Sequence, residues 1–264
     1  MLIVAGSDSG GGAGIQADIK TVTALGGFAM TAITALTAQN TRGVFGVHPV
    51  PPDFVVQQMV LVLEDLGADA LKTGMLHDAE VIDAVAGVIE ARARGVPLVV
   101  DPVMVAKGGA ALLQRSAKDA MITRLLPLAS LITPNLPEAA ALLGRAVDDV
   151  AAMREAARDL QMMGPAAVLV KGGHLEGDRV TDVLRLASGE EIVFEGARIP
   201  TSSTHGTGCT LASAITAGIA QGLTLPAAVE RARAYLTEAI RTAPGFGHGH
   251  GPLNHAHPLE GKGS

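Results

Sequence analysis

The chain has 264 residues, of which 48% are hydrophobic and 2% aromatic, and it carries a net charge of −6. This suits one aliphatic-cored α/β domain, and the absence of a basic block argues against nucleic acid and against an anionic membrane surface. A single cysteine, Cys209, excludes an internal disulfide and favours a reducing compartment, the cytoplasm.

The start, MLIVAGSDSGGG, lacks a basic region and does not read as a signal peptide. Leu2–Ala5 reads as a first strand, Gly6–Gly14 as a glycine-rich loop and Ile15–Leu25 as a helix. Met30–Leu36 is predicted as the second strand and Pro52–Leu66 as the next helix. Ala70–Thr73 and Leu98–Asp101 are strand-like, with a helix over Ala79–Arg94 between them. In that helix Val81, Val85, Val88 and Ile89 recur at helical spacing behind Asp78, a fitting N-cap. A helix over Ser116–Leu126 and a strand over Leu131–Thr133 follow. Helices over Pro137–Leu143 and Val150–Met163 then precede a strand over Ala167–Lys171. Val180–Leu186 and Ile192–Phe194, parted by Ser188-Gly189, read as a hairpin. Helices over Gly208–Gln221 and Pro226–Thr242 come last, and an irregular Gly/His/Pro-rich tail begins at Pro244.

This alternation predicts a mostly parallel sheet with helices on both faces, in a single domain over residues 1–264. The charge-free stretches Thr21–Thr41 and Ile199–Val229 are too rich in Thr, Gly, Ser, Gln or Asn to be membrane spans.

Ligands of such sheets bind beyond the carboxyl ends of the strands, where the polar motifs of this chain gather. Gly6–Gly14 (GSDSGGGAG) lets backbone approach a ligand closely. No Gly-Lys-Ser/Thr follows, so it is not a Walker A loop. A dinucleotide reading needs an acid after the second strand, and no Asp or Glu lies between Ile19 and Pro52. Gly206-Thr207-Gly208-Cys209 opens a helix, whose free N–H groups favour negative charge and are expected to lower the thiol pKa. A small buried cysteine at a helix start fits that position equally well.

Asp101, Asn135 and Glu138 offer hard oxygens suited to Mg²⁺, although Asn-x-x-Glu also suits a capped helix start. Lys171, before two glycines, can reach a phosphate or simply snorkel. His248, His250, His255 and His257 in the tail are a weak metal-binding pattern. Taken together, the pieces describe phosphoryl transfer.

The segments AGSDSGGGAGIQADIKT, TALTAQNTRGV, KTGML, DPVMVAKGG, LITPNLPEAA, VLVKGGH, THGTGCTLASA and GHGPLNH resemble the hydroxymethylpyrimidine/phosphomethylpyrimidine kinases of thiamine biosynthesis, a branch of the ribokinase-like superfamily. The resemblance runs from about Ile3 to His255. It implies a ribokinase-like three-layer αβα fold and ATP-dependent phosphorylation of 4-amino-5-hydroxymethyl-2-methylpyrimidine, then of its monophosphate. It also implies an anion hole over Gly206, Thr207, Gly208 and Cys209. Cys209 falls where most of the superfamily has a catalytic Asp. Gln39 matches the residue that pairs with the aminopyrimidine, and Gly6, Asp18 and Met75 match other positions lining that pocket. Asn135 and Glu138 match the Mg²⁺ motif, and Lys171, with Asn135, matches the ATP site. The implied partners are the pyrimidine and ATP, with a homodimer left open as the assembly. Pyridoxine/pyridoxal kinase activity, or pyrimidine binding without catalysis, are the rival readings.

Overall fold

The structure, a computed structural model, describes residues 1–104 and 115–259. Part of the DPVMVAKGG motif, from Val105, and the last residues, from Glu260, lie outside the described residues. The strands are β1 (Leu2–Asp8), β2 (Met30–Asn40), β3 (Gly43–Pro49), β4 (Leu71–Thr73), β5 (Leu98–Val100), β6 (Leu131–Ile132), β7 (Val168–Lys171), β8 (Arg179–Arg185) and β9 (Glu191–Ala197). They form one sheet in the order β3-β2-β1-β4-β5-β6-β7-β8-β9. The strands from β2 through β7 run parallel, with Leu2 opposite both Met30 and Leu71, and Leu71 opposite Leu98. β3 pairs antiparallel with β2, β8 with β7, and β9 with β8.

The helices are α1 (Gly14–Ala24), α2 (Pro52–Asp65), α3 (Ala79–Arg92), α4 (Arg115–Ala120), α5 (Leu136–Leu143), α6 (Val150–Gln161), α7 (Thr207–Ala220) and α8 (Leu225–Arg241). One face of the sheet packs Val55, Val85, Ala117, Leu142 and Met153, from α2 to α6, into a single core. The other packs α7 and α8 through Leu211, Ile215 and Val229, and α1 through Ile15 and Val22. Sheet and helices make three αβα layers. Central strands such as Leu98–Val100 are aliphatic throughout because both of their faces are covered. Among the described residues no helix is long and apolar enough to cross a membrane.

Three expectations need correction. β3 is a strand that the sequence pattern does not signal: it is an edge strand with mixed exposure, so no aliphatic run marks it. Its pairing extends β2 past Leu36 to Asn40, with a bulge between Ala38 and Gln39. The helix expected over Ser116–Leu126 instead passes from α4 into a π turn (Met121–Leu125) and a 3₁₀ turn (Leu126–Leu128). Pro127 lacks the N–H that an α-helix would need there.

The tail is irregular but not loose. Gly251, Leu253 and His255 are buried, the Tyr235 hydroxyl donates to the His255 carbonyl at 2.8 Å, and His257 stacks on Tyr235. Among the described residues the tail histidines form no metal-binding cluster, and three of their side chains bond elsewhere in the fold. His250 Nδ1 lies 3.3 Å from Thr204 Oγ1, and His255 Nε2 lies 3.0 Å from Thr210 Oγ1.

Candidate active site

The carboxyl ends of β1, β2, β4, β5, β6 and β7 open into a cavity of about 650 Å³. At β1 the buried Asp8 organises the first glycine loop. Its Oδ1 accepts from the Gly10 N–H at 2.7 Å, and its Oδ2 from the N–H groups of Gly12 and Ala13 at 2.9 and 2.7 Å. His205 Nε2 bonds the same Oδ2 at 2.8 Å. Burial works against the charge on Asp8, but these bonds outweigh it and hold the carboxyl below its ordinary range.

The second loop meets the first backbone to backbone. Gly206 sits at φ 80° as the N-cap of α7, and a Cβ there would overlap the Gly12 carbonyl oxygen. At Gly208 a Cβ would lie 3.3 Å from Lys171 Nζ and 3.5 Å from Asp101 Oδ2. The start of α7 is thus pressed between the first loop and the ends of β5 and β7. The Thr207 hydroxyl donates to the Thr204 carbonyl at 3.2 Å, no side chain caps the start of α7, and Gly206–Cys209 line the cavity.

Cys209, in the first turn of α7, also receives the N–H of Gly14 at the start of α1. The expectation that this position lowers its pKa is overturned. Burial dominates, Asp18 and Asp101 add to it, and together they outweigh Lys72 and the Gly14 N–H, so the thiol is pushed up to about 11.

Beneath it lies an ion pair that the sequence reading missed. Lys72 Nζ bonds Asp18 Oδ1 at 3.0 Å and Oδ2 at 2.9 Å, with both side chains 0% exposed. Ser213 donates to Asp18 Oδ1 at 2.7 Å. Burial opposes the ammonium of Lys72, yet the Asp18 carboxylate keeps it protonated, above its ordinary range. Lys72 lines the cavity and Asp18 does not. Asp18 therefore sits a layer below the position expected of it, where it anchors Lys72. A lysine inside an aliphatic strand was the available signal, since such a residue is buried only when paired.

Lys171 Nζ bonds Asp101 Oδ1 at 2.8 Å, and Thr133 Oγ1 bonds the same oxygen at 3.0 Å. Burial would raise the Asp101 carboxyl, but Lys171 holds it below its ordinary range. Asn135 and Glu138 form a reciprocal capping box on α5: Asn135 Oδ1 accepts from the Glu138 N–H at 2.9 Å, and Glu138 Oε2 from the Asn135 N–H at 2.8 Å. Burial, with Asp101 adding and Lys171 opposing, pushes Glu138 up to about 7. Among the described residues no three His, Cys, Asp or Glu side chains gather to chelate a metal. What fits Mg²⁺ is the buried Asp101–Glu138 pair beside a lysine, the donor set of a cation that keeps its waters and shares phosphate oxygens.

At the other end of the cavity, Gln39 Nε2 donates to Thr37 Oγ1 at 2.7 Å, and its backbone is held by Ser9 Oγ at 2.9 Å. Met75 is buried against Gly6, where a Cβ would come within 3.0 Å of its sulfur. Gln39, Gly6, Met75, Lys171, Asn135 and the Gly206–Cys209 segment all line the one cavity, as do Asp101 and Glu138. His205, four residues before Cys209, is turned to Asp8.

The fold and this site define a ribokinase-like small-molecule kinase. The phosphomethylpyrimidine kinase family model matches residues 8–254, and the chain belongs to that family. It is 54% identical to the thiamine biosynthesis bifunctional protein ThiED of Geobacter sulfurreducens, with 97% of this chain spanning 52% of that protein. It is 47% identical to the hydroxymethylpyrimidine/phosphomethylpyrimidine kinase of Haemophilus influenzae, over 97% of this chain and 96% of the other. Among solved structures, an ADP complex of Bacillus subtilis pyridoxal kinase superposes with a TM-score of 0.88 at 35% identity, over 97% and 96% of the two chains.

Two outcomes follow from the buried charges. Lys72→Met leaves Asp18 unpaired and is expected to cost about 3–5 kcal/mol, whereas adding Asp18→Leu restores much of the loss. Urea midpoints of the two variants measure this, and equal destabilisation would sink it. The second outcome concerns the sole thiol. With Cys209 at about 11, the thiolate fraction at pH 7 is about 10⁻⁴, so alkylation of the ligand-free enzyme is slow there and accelerates up to about pH 11. A rate that levels off below pH 8 would contradict a raised thiol.

Proposed function

We propose that this chain transfers the γ-phosphoryl group of ATP to the hydroxymethyl oxygen of 4-amino-5-hydroxymethyl-2-methylpyrimidine, and then to the monophosphate so formed. The meeting of the Gln39 amide with the Gly206–Cys209 helix start in one cavity carries this reading, in a chain whose near-full-length relatives bear that activity in their names. It takes the chain as one kinase domain with one site for both steps. In the first step the hydroxyl oxygen bonds the γ-phosphorus, the bond to the β–γ bridging oxygen breaks, and the hydroxyl proton passes to Cys209 as ADP departs. In the second, an oxygen of the monophosphate attacks in the same way.

Gln39 offers a donor and an acceptor side by side, the complement of an aminopyrimidine edge, and Gly6 and Met75 flank the ring. The first N–H groups of α7 receive the transferring phosphoryl group, and Lys171 offsets nucleotide charge. Mg²⁺, when bound, neutralises phosphate charge. Asp101 and Glu138 would hold it through water, with Asn135 fixing Glu138. Cys209 accepts a proton only as thiolate, so this reading requires burial, which chiefly raises the thiol, and the added influence of Asp18 and Asp101 to be offset in the loaded site. A cytoplasmic homodimer fits the single cysteine and the exposed Leu36, Phe45 and Phe54 near the β3 edge. The likeness to pyridoxal kinase favours a pyridine alcohol as a second, poorer substrate.

Incubating the purified chain with ATP, Mg²⁺ and each ring alcohol tests the reading. The pyrimidine is expected to give monophosphate and then diphosphate, faster than pyridoxal reacts. Turnover of pyridoxal alone would reverse the order, and binding of the pyrimidine without any product would make the chain a non-catalytic binder. Cys209→Ala is expected to lower kcat by about 10²–10⁴ with the KM for ATP little changed. A wild-type kcat, with chemistry rate-limiting, would reduce Cys209 to a small residue that fits.

A further inference from the structure

The GHGPLNH segment is a conspicuous motif that the site described above does not use. Among the described residues none after Ile240 lines the cavity. Yet the tail from Phe246 to His255 crosses behind both loops that do. The His250 N–H donates to the Thr41 carbonyl at 2.7 Å, and the His248 N–H to Thr41 Oγ1 at 3.2 Å. Thr41 caps the β2–β3 hairpin, two residues beyond Gln39. Next, the Gly251 N–H donates to the Ser202 carbonyl at 3.2 Å, and the Gly251 carbonyl accepts from the His205 N–H at 3.1 Å. His205 adjoins Gly206 and holds Asp8. Pro252 packs at Gly12, and His255 is buried against Thr210, the residue after Cys209. Successive tail residues therefore fasten the Gln39 hairpin, the first glycine loop and the start of α7 to one another. The contact with the hairpin leaves no slack, since a Cβ at Gly249 would overlap the Thr41 carbonyl oxygen.

We propose that Phe246–His255 is a positioning strap: it touches neither substrate and sets the spacing between the Gln39 hairpin, which orients the pyrimidine, and the Gly206–Cys209 helix start, which receives the phosphoryl group. Transfer depends steeply on that spacing, because reacting atoms must be held within a fraction of an ångström of alignment. The inference rests on the reading of Gln39 as the pyrimidine's partner.

The test is a double-mutant cycle on the full chain. Gly249→Ala pushes on the hairpin, and His250→Pro removes the 2.7 Å donor without adding volume at Gly249. Each is expected to raise the KM for the pyrimidine alcohol about tenfold, with the KM for ATP within about twofold of wild type. In a Gln39→Leu background the same changes should add less than about twofold, because the hairpin no longer has a contact to misplace. An unaltered pyrimidine KM in either folded variant overturns the strap, and so do equal losses toward ATP or full additivity with Gln39→Leu. Gln39→Leu alone reports separately on the pyrimidine contact. If it leaves the pyrimidine KM unchanged, the reading of Gln39 fails, and the expected non-additivity and the strap's stated role fail with it. The single strap variants, read beside it, show which of the two has gone.

Discussion

The site depends on one contact that only backbone can make. The Gly12 carbonyl lies where a side chain at Gly206 would have to begin. That approach brings the start of α1 and the start of α7 together, so one thiol can face both, with the Gly14 N–H bonded to Cys209. Any Cβ at Gly206 would separate the helices and also meet a left-handed φ that disfavours it. Asp8 and His205 secure the contact from behind, and the tail secures His205 in turn. The polar ends of two helices from opposite ends of the sequence are thus brought together by a pair of glycines.

The charges beneath this contact are arranged in balanced pairs. Lys72 is matched by Asp18, and Lys171 by Asp101. Buried ions without partners cost several kcal/mol, so the pairs make two cations tolerable next to an aliphatic core. Lys72 is paired with Asp18, and its pull on the thiol is overridden by burial. Glu138 lacks a lysine of its own, and burial pushes it up to about 7. A site built this way has cationic capacity to share with incoming phosphates, and it carries little net charge while empty.

The sheet was legible in the sequence because parallel strands buried on both faces leave aliphatic runs such as Leu98–Val100 and Val168–Lys171. The ligand end was legible because glycine loops and polar motifs follow those runs. What escaped was whatever depends on pairing across the chain. β3 is an edge strand whose order comes from β2, and it carries no apolar run of its own. Asp18 stands on an amphipathic helix and belongs by type to either a pocket or a buried pair; only the fold places Lys72 opposite it. The thiol pKa failed because the helix start was visible and the burial was not. The tail reads as irregular since its bonds run to Thr41, Ser202 and His205, none of them near in sequence.

The raised thiol bears on why a cysteine serves at a position where the resemblance implies an aspartate in other branches. On the proposed reading the second substrate arrives with a phosphate of its own. A carboxylate at residue 209 would face that phosphate as a second negative charge, in a site where water screens poorly and like charges a few ångströms apart repel by several kcal/mol. A thiol held up to about 11 is neutral while the substrate binds and exerts no such repulsion. Before it can accept the hydroxyl proton the thiol must lose its own to solvent, a step that Lys72 and the helix-start N–H groups favour once the site is loaded. Burial, which makes Cys209 a weak acid in the empty site, is on this account what lets a single cavity take an alcohol and then its phosphate.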